Sequence, residues 1–177
     1  MKRFLKLCVV LLMIFLVWLV FYKRSSSAVT LNLKENEEKN MNLAISEYVL
    51  NSYFNWSNVE DKTKFEAHKI YGLEEKGKEI YAYGYVMFFA YDFSKEIDKN
   101  KEMEEEAGGC NPIVFIIEKN GEEYSVKGHL EPEDGVEYLP SIKKIFPPKY
   151  ADIILDEVVI QKELKDNILE QVRKYKK

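Results

Sequence analysis

The clearest pattern in the chain is the alternation in residues 79–93, EIYAYGYVMFFAYDF. Its odd positions are Tyr81, Tyr83, Tyr85, Met87, Phe89, Tyr91 and Phe93, and its even positions are Ile80, Ala82, Gly84, Val86, Phe88 and Ala90. Successive side chains of a strand leave opposite faces, so this strand has one aromatic face and one small, aliphatic face. The Ala82/Gly84/Val86 face admits a helix at close range. The ring-bearing face needs cover of its own.

The neighbouring patterns supply the other elements. Met41, Ala44, Ile45, Tyr48, Val49 and Trp56 recur at three- and four-residue steps, which predicts an amphipathic helix over about 37–57. FEAHKIYGLEE (65–75) reads as a strand joined to 79–93 through Lys76-Gly77-Lys78. Residues 94–111 read as a long acidic loop. PIVFIIEK (112–119), apolar from Ile113 to Ile117, suits a central strand buried on both faces. Asn120-Gly121 then turns the chain into a fourth strand, EEYSVKGHL (122–130). Ser141 is placed to cap a short helix that Pro147 and Pro148 end. A last helix carries Ile160, Leu164, Ile168, Val172 and Tyr175 on one face. The order predicts an α+β fold: an N-terminal helix on a curved, antiparallel four-stranded meander, with C-terminal helices that, like a partner in their place, would cover the second sheet face.

Ahead of this domain, residues 7–22 (LCVVLLMIFLVWLVFY) form an uncharged, mostly apolar run flanked by Lys2, Arg3, Lys6, Lys23 and Arg24. It is a little short of a bilayer core, and the flanking cations extend it by snorkelling. The expected organisation is a single-pass signal-anchor at 1–24, a polar tether at 25–36 and one α+β domain at 37–177. The cation bias places the domain on the extracytoplasmic side of the cell membrane. Secretion after cleavage near Ala28 is the alternative.

Charge sharpens the picture. The chain has a net charge of −4; setting aside the five cations of residues 1–24 leaves 21 basic against 30 acidic residues, a net of −9. Such a domain has no electrostatic footprint for nucleic acid. Cys8 sits inside the apolar run and Cys110 in the expected loop, so they do not pair, and no metal-ligand spacing joins His68 and His129. The acids of the 94–111 loop and of Glu131, Glu133, Asp134 and Glu137 lack an EF-hand pattern and read as solvated surface. No cofactor is implied. No phosphate-binding, nucleophile-elbow or zincin motif occurs, so nothing names a reaction.

Two features keep a function open. The face carrying Tyr81, Tyr83 and Tyr85 is either packed under the C-terminal helices or a surface for a protein or small ligand. His68 and His129 fall on different strands and are the candidates for a catalytic base.

HKIYGLEEKGKEIYAYGYVMFF, IVFIIEKNGEEYSVKGHLEPEDG and SIKKIFPPKY resemble a group of uncharacterised membrane-anchored extracytoplasmic proteins of Gram-positive bacteria. The resemblance covers roughly residues 60–155 and implies a cystatin-like or NTF2-like α+β domain. It transfers no catalytic residue, and the cystatin pattern QxVxG is absent. The function expected from all of this is a membrane-anchored extracytoplasmic binding or interaction module. The alternatives are an enzyme with an NTF2-like pocket, using His68 or His129 as base, and a purely structural tethered homodimer.

Overall fold

A computed structural model of the protein describes residues 29–94 and 105–176. The expected membrane anchor at 7–22 and Cys8 lie outside these residues. Among the described helices, none is long and apolar enough to cross a membrane.

The fold is α+β. Strand β1 (Val29–Thr30) precedes helix α1 (Glu35–Tyr48), after which β2 (Thr63–Lys76), β3 (Glu79–Tyr91), β4 (Ala107–Asn120) and β5 (Glu123–Leu130) form the antiparallel meander. Helices α2 (Tyr138–Ile145), α3 (Pro148–Ile154) and α4 (Glu157–Tyr175) close the chain. The four expected strands are present in the expected order. The hairpin at Asn120-Gly121 turns on a positive φ of 64° at Gly121.

Each face of β3 has the cover that its side chains demand. On the small face, Met41, Ile45 and Val49 from α1 and its extension pack with Ala82, Val86, Ile113, Phe115 and Ile117. On the aromatic face, Tyr83, Tyr85, Met87 and Tyr91 pack with Ile142, Phe146, Tyr150, Ile160, Leu164 and Ile168. Two cores therefore share one sheet. Ile113, Val114, Phe115 and Ile117 of β4 are all fully buried, as a central strand with helices on both faces requires.

Four boundaries differ from expectation. The tether at 25–36 contributes β1, because Leu31 and Leu33 alternate with polar residues and pack on the α1-side core. The helix expected to reach residue 57 leaves α-geometry after Tyr48. Residues Val49–Tyr53 form one wide turn closed by Phe54 N–H donating to the Val49 carbonyl at 2.7 Å. That widening carries Phe54 into full burial, 4.5 Å from the Phe88 ring centroid. The loop at 94–111 is shorter than expected, since β4 starts at Ala107. Gly108 and Gly109 are strand residues whose missing side chains make room for Phe89 and Phe88; a Cβ on Gly108 would lie 2.1 Å from the Phe89 ring. Cys110 is accordingly on β4, opposite Met87, and half-buried. Ser141 lies inside α2 and donates to the Tyr138 carbonyl instead of capping the helix.

Candidate functional site

Of the three tyrosines singled out as a candidate surface, Tyr83 and Tyr85 are 0% and 1% exposed, and Tyr81 is half-buried. Nothing of Tyr83 or Tyr85 is open to a partner, because α2, α3 and α4 cover them. Tyr83 stacks on Tyr150 with centroids 5.0 Å apart, donates to Glu74 Oε2 at 3.1 Å and accepts from Lys76 Nζ at 2.7 Å. Burial, then the Glu74 carboxylate, pushes the Tyr83 phenol far up, so it stays protonated. Glu74 is itself buried and anchors α3 through Lys149 at 3.0 Å. The aromatic face is a core seam.

The two histidines lie on β2 and β5 with β3 and β4 between them, and each is held in its own network. The period of two sets Glu66 and His68 on the α1 face of β2. There Glu66 accepts from Ser46 Oγ at 2.5 Å and faces His68 Nδ1 at 3.0 Å, while His68 Nε2 meets Asn42 Oδ1 at 3.3 Å. The carboxylate stands between the hydroxyl and the imidazole, so Ser46 has no histidine positioned to take its proton. Both ring nitrogens are occupied.

His129 is set similarly. Its Nδ1 meets the Tyr48 hydroxyl at 2.8 Å and its Nε2 lies 3.5 Å from Glu131 Oε2. The wide turn after α1 aims Tyr53 at the same place, where it donates to Glu131 and accepts from Asn111 Nδ2 at 2.8 Å. Burial pushes the Glu131 carboxyl up, but hydrogen bonds from His129, Tyr53 and Asn111 outweigh it and hold the group below its ordinary value. Burial and the Glu131 charge raise the Tyr48 phenol. This is a network of neutral phenols around an ionised carboxylate, with no activated nucleophile. The pair Glu66-x-His68 was legible as a same-face strand pair, whereas Glu131 follows the end of β5 and read as a solvated surface acid. Their partners Asn42, Ser46, Tyr48, Tyr53 and Asn111 come from distant stretches and left no sequence signal.

A third feature was not expected. β1 pairs with β2 at Glu74 and Glu75, its last bond running from Leu31 N–H to the Leu73 carbonyl at 3.1 Å, and the chain then turns away into α1. Nearer the start of β2, Gln171 of α4 donates to the outward-facing Glu66 carbonyl at 2.7 Å. Backbone groups of an antiparallel strand alternate in direction, so His68 and Ile70 also face outward. Among the described residues no backbone bond reaches them. Here β2 bulges at Tyr71, between Ile70 and Gly72. Two grooves flank this open edge. One, of about 470 Å³, lies towards α1 and is walled by Leu31, Leu33, Glu38 and Asn42. The other, of about 430 Å³, lies towards the α3–α4 junction and is walled by Asp152, Ile153, Asp156 and Val159. Lys69 and Tyr71 line both.

Among the described residues no group of three or more histidine, cysteine or acidic side chains is arranged to hold a metal ion. Glu96, Asp98, Glu102 and Glu104 of the acidic loop lie outside the described residues.

By architecture this is an α+β protein, one helix on one face of an antiparallel sheet and three on the other. Compared with models of known families, with curated proteins and with solved structures, the chain matches none of them.

Proposed function

We propose that the protein is a membrane-tethered, extracytoplasmic interaction module whose working surface is the groove along the outer edge of β2. The observation that carries this reading is the open stretch at His68 and Ile70, an unpaired strand edge between two grooves. Unpaired strand edges are the part of a sheet that another chain adds to, and most proteins cover theirs. The apolar run at 7–22 supplies the tether.

Two observations favour binding over a pocket enzyme. The space between α1 and the sheet, where a conical pocket would lie, is filled by Met41, Ile45, Val49, Phe54, Phe88 and Phe115, each at most 2% exposed. Both nitrogens of His68 and of His129 are engaged within the protein. A dimer built on the aromatic face draws no support, since that face is covered by the chain's own helices.

The test is photo-crosslinking in intact cells from a benzophenone amino acid placed at Val159, in the groove, and at Val136, which is 90% exposed far along the chain from it. A discrete adduct from Val159 that is absent from Val136 is expected. No adduct from Val159, or equal labelling at both positions, would refute the reading.

A further inference from the structure

The groove has a polarity that specifies its occupant. Among the described residues Lys69 is the only lysine or arginine lining either side, and its ammonium is already paired with Glu163. Glu38 on the α1 side and Asp152 and Asp156 on the α3–α4 side are exposed carboxylates with no salt bridge among the described residues. Between these acids the α3–α4 wall offers Ile153 and Val159, 42% and 65% exposed. The floor is the backbone of β2, whose outward groups at His68 and Ile70 continue the line of pairing that β1 abandons at Leu31.

We infer that this groove takes an extended, basic peptide strand, which adds antiparallel to β2 from Ile70 back towards Ala67, in the direction in which β1 runs. The inference rests on the interaction-module reading and names the partner's chemistry. Main-chain bonds to His68 and Ile70 give the strand its register. Alternate side chains point to opposite sides of an added strand, so the basic set lies along the α3–α4 wall, its aliphatic stems on Ile153 and Val159 and its charged heads at Asp152 and Asp156, while the apolar set faces Leu31 and Leu33 on the α1 side. The bulge at Tyr71 limits the added strand to a short one, because pairing loses register there.

The experiment measures fluorescence anisotropy of labelled heptapeptides with the full chain in a non-ionic detergent. The probes are an alternating lysine–valine peptide, the glutamate–valine counterpart, and the lysine–valine peptide N-methylated throughout. The lysine–valine peptide is expected to bind, the other two at least about tenfold more weakly, and added salt should weaken the binding. The double variant Asp152→Lys, Asp156→Lys should also lose about tenfold, and a thermal melt matching the unaltered chain shows that it is folded, since both residues are exposed. Equal binding of the acidic or the N-methylated peptide, or no loss in the charge variant, would overturn the inference. So would a dimer, seen by sedimentation, that the charge variant dissociates, because the groove would then belong to a second copy. If no peptide binds while Val159 still gives its adduct in cells, the basic-strand inference fails and the interaction-module reading stands; if the adduct is missing too, both fail.

Discussion

Gly72 gives the sharpest test of how the C-terminal helices sit on the aromatic face. Its φ is not positive, so the reason for glycine is space. A Cβ built there would lie 2.0 Å from both Cζ and Oη of Tyr150 and 2.3 Å from Cε1. Reaching ordinary contact means moving the ring by about 1.5 Å. The ring is 7% exposed, stacked on Tyr83 and bordered by the Lys149 ammonium 4.7 Å from its centroid, so it has nowhere near to go. Overpacking of this kind costs about 1–3 kcal/mol. Full ejection of the ring would cost about 2–4 kcal/mol, from lost burial and lost stacking. Gly72→Ala alone should therefore destabilise by about 2–3 kcal/mol. In a Tyr150→Ala background the clash is gone, and alanine's advantage over glycine within a strand should make the same change neutral or stabilising by about 0.5–1 kcal/mol. Urea unfolding followed by far-ultraviolet circular dichroism measures all four members of the cycle, with a constant m-value showing that the denatured state is unchanged. If Gly72→Ala costs the same in both backgrounds to within about 0.5 kcal/mol, Tyr150 does not sit against β2 as described.

Further outcomes follow from the polar networks and the tether. The folded-state pKa of Glu131 is depressed, so its contribution to stability is present above the unfolded value of about 4.3 and is lost as pH falls through the folded value. Glu131→Gln should cost less than about 1 kcal/mol at neutral pH, given that the side chain is a third exposed. Its unfolding free energy should approach that of the parent as pH falls through the folded value; a difference that stays constant across the acid range would contradict the ionised network. Breaking the Glu74 anchor with Glu74→Gln should cost about 1–3 kcal/mol, read in the same urea assay, since Lys149 and Tyr83 lose a charged partner. Protease added to intact protoplasts is expected to remove the domain, whereas a protected domain would place it on the cytoplasmic side.

Much of this fold was legible because its signals are local. The alternation at 79–93, the apolar run at Ile113–Ile117 and the turn at Asn120-Gly121 each depend on neighbours in sequence. Where the reading failed, a distant residue decided. Gly108 and Gly109 read as loop, yet the bulk of Phe88 and Phe89 across the ladder makes them strand. The helix reading to residue 57 followed the three- and four-residue spacing through Trp56, but burying Phe54 against Phe88 widened the turn first. The aromatic face is an intermediate case: its need for cover was visible from Tyr81 to Phe93, and the helices that meet it begin only at Tyr138. The open edge of β2 left no sequence signal. It exists because β1 is two residues long and because α4 reaches only as far as Glu66, and both are facts of tertiary placement.

The closed aromatic face and the open β2 edge are read at once by residue-resolved amide hydrogen exchange on the full chain in detergent. The amides of Tyr83, Tyr85 and Val114 should exchange only through global opening, while those of His68 and Ile70 should exchange at least about a hundredfold faster. Equal protection at His68 and Ile70 would mean that the chain covers its own edge, and the groove would then have no strand to offer a partner.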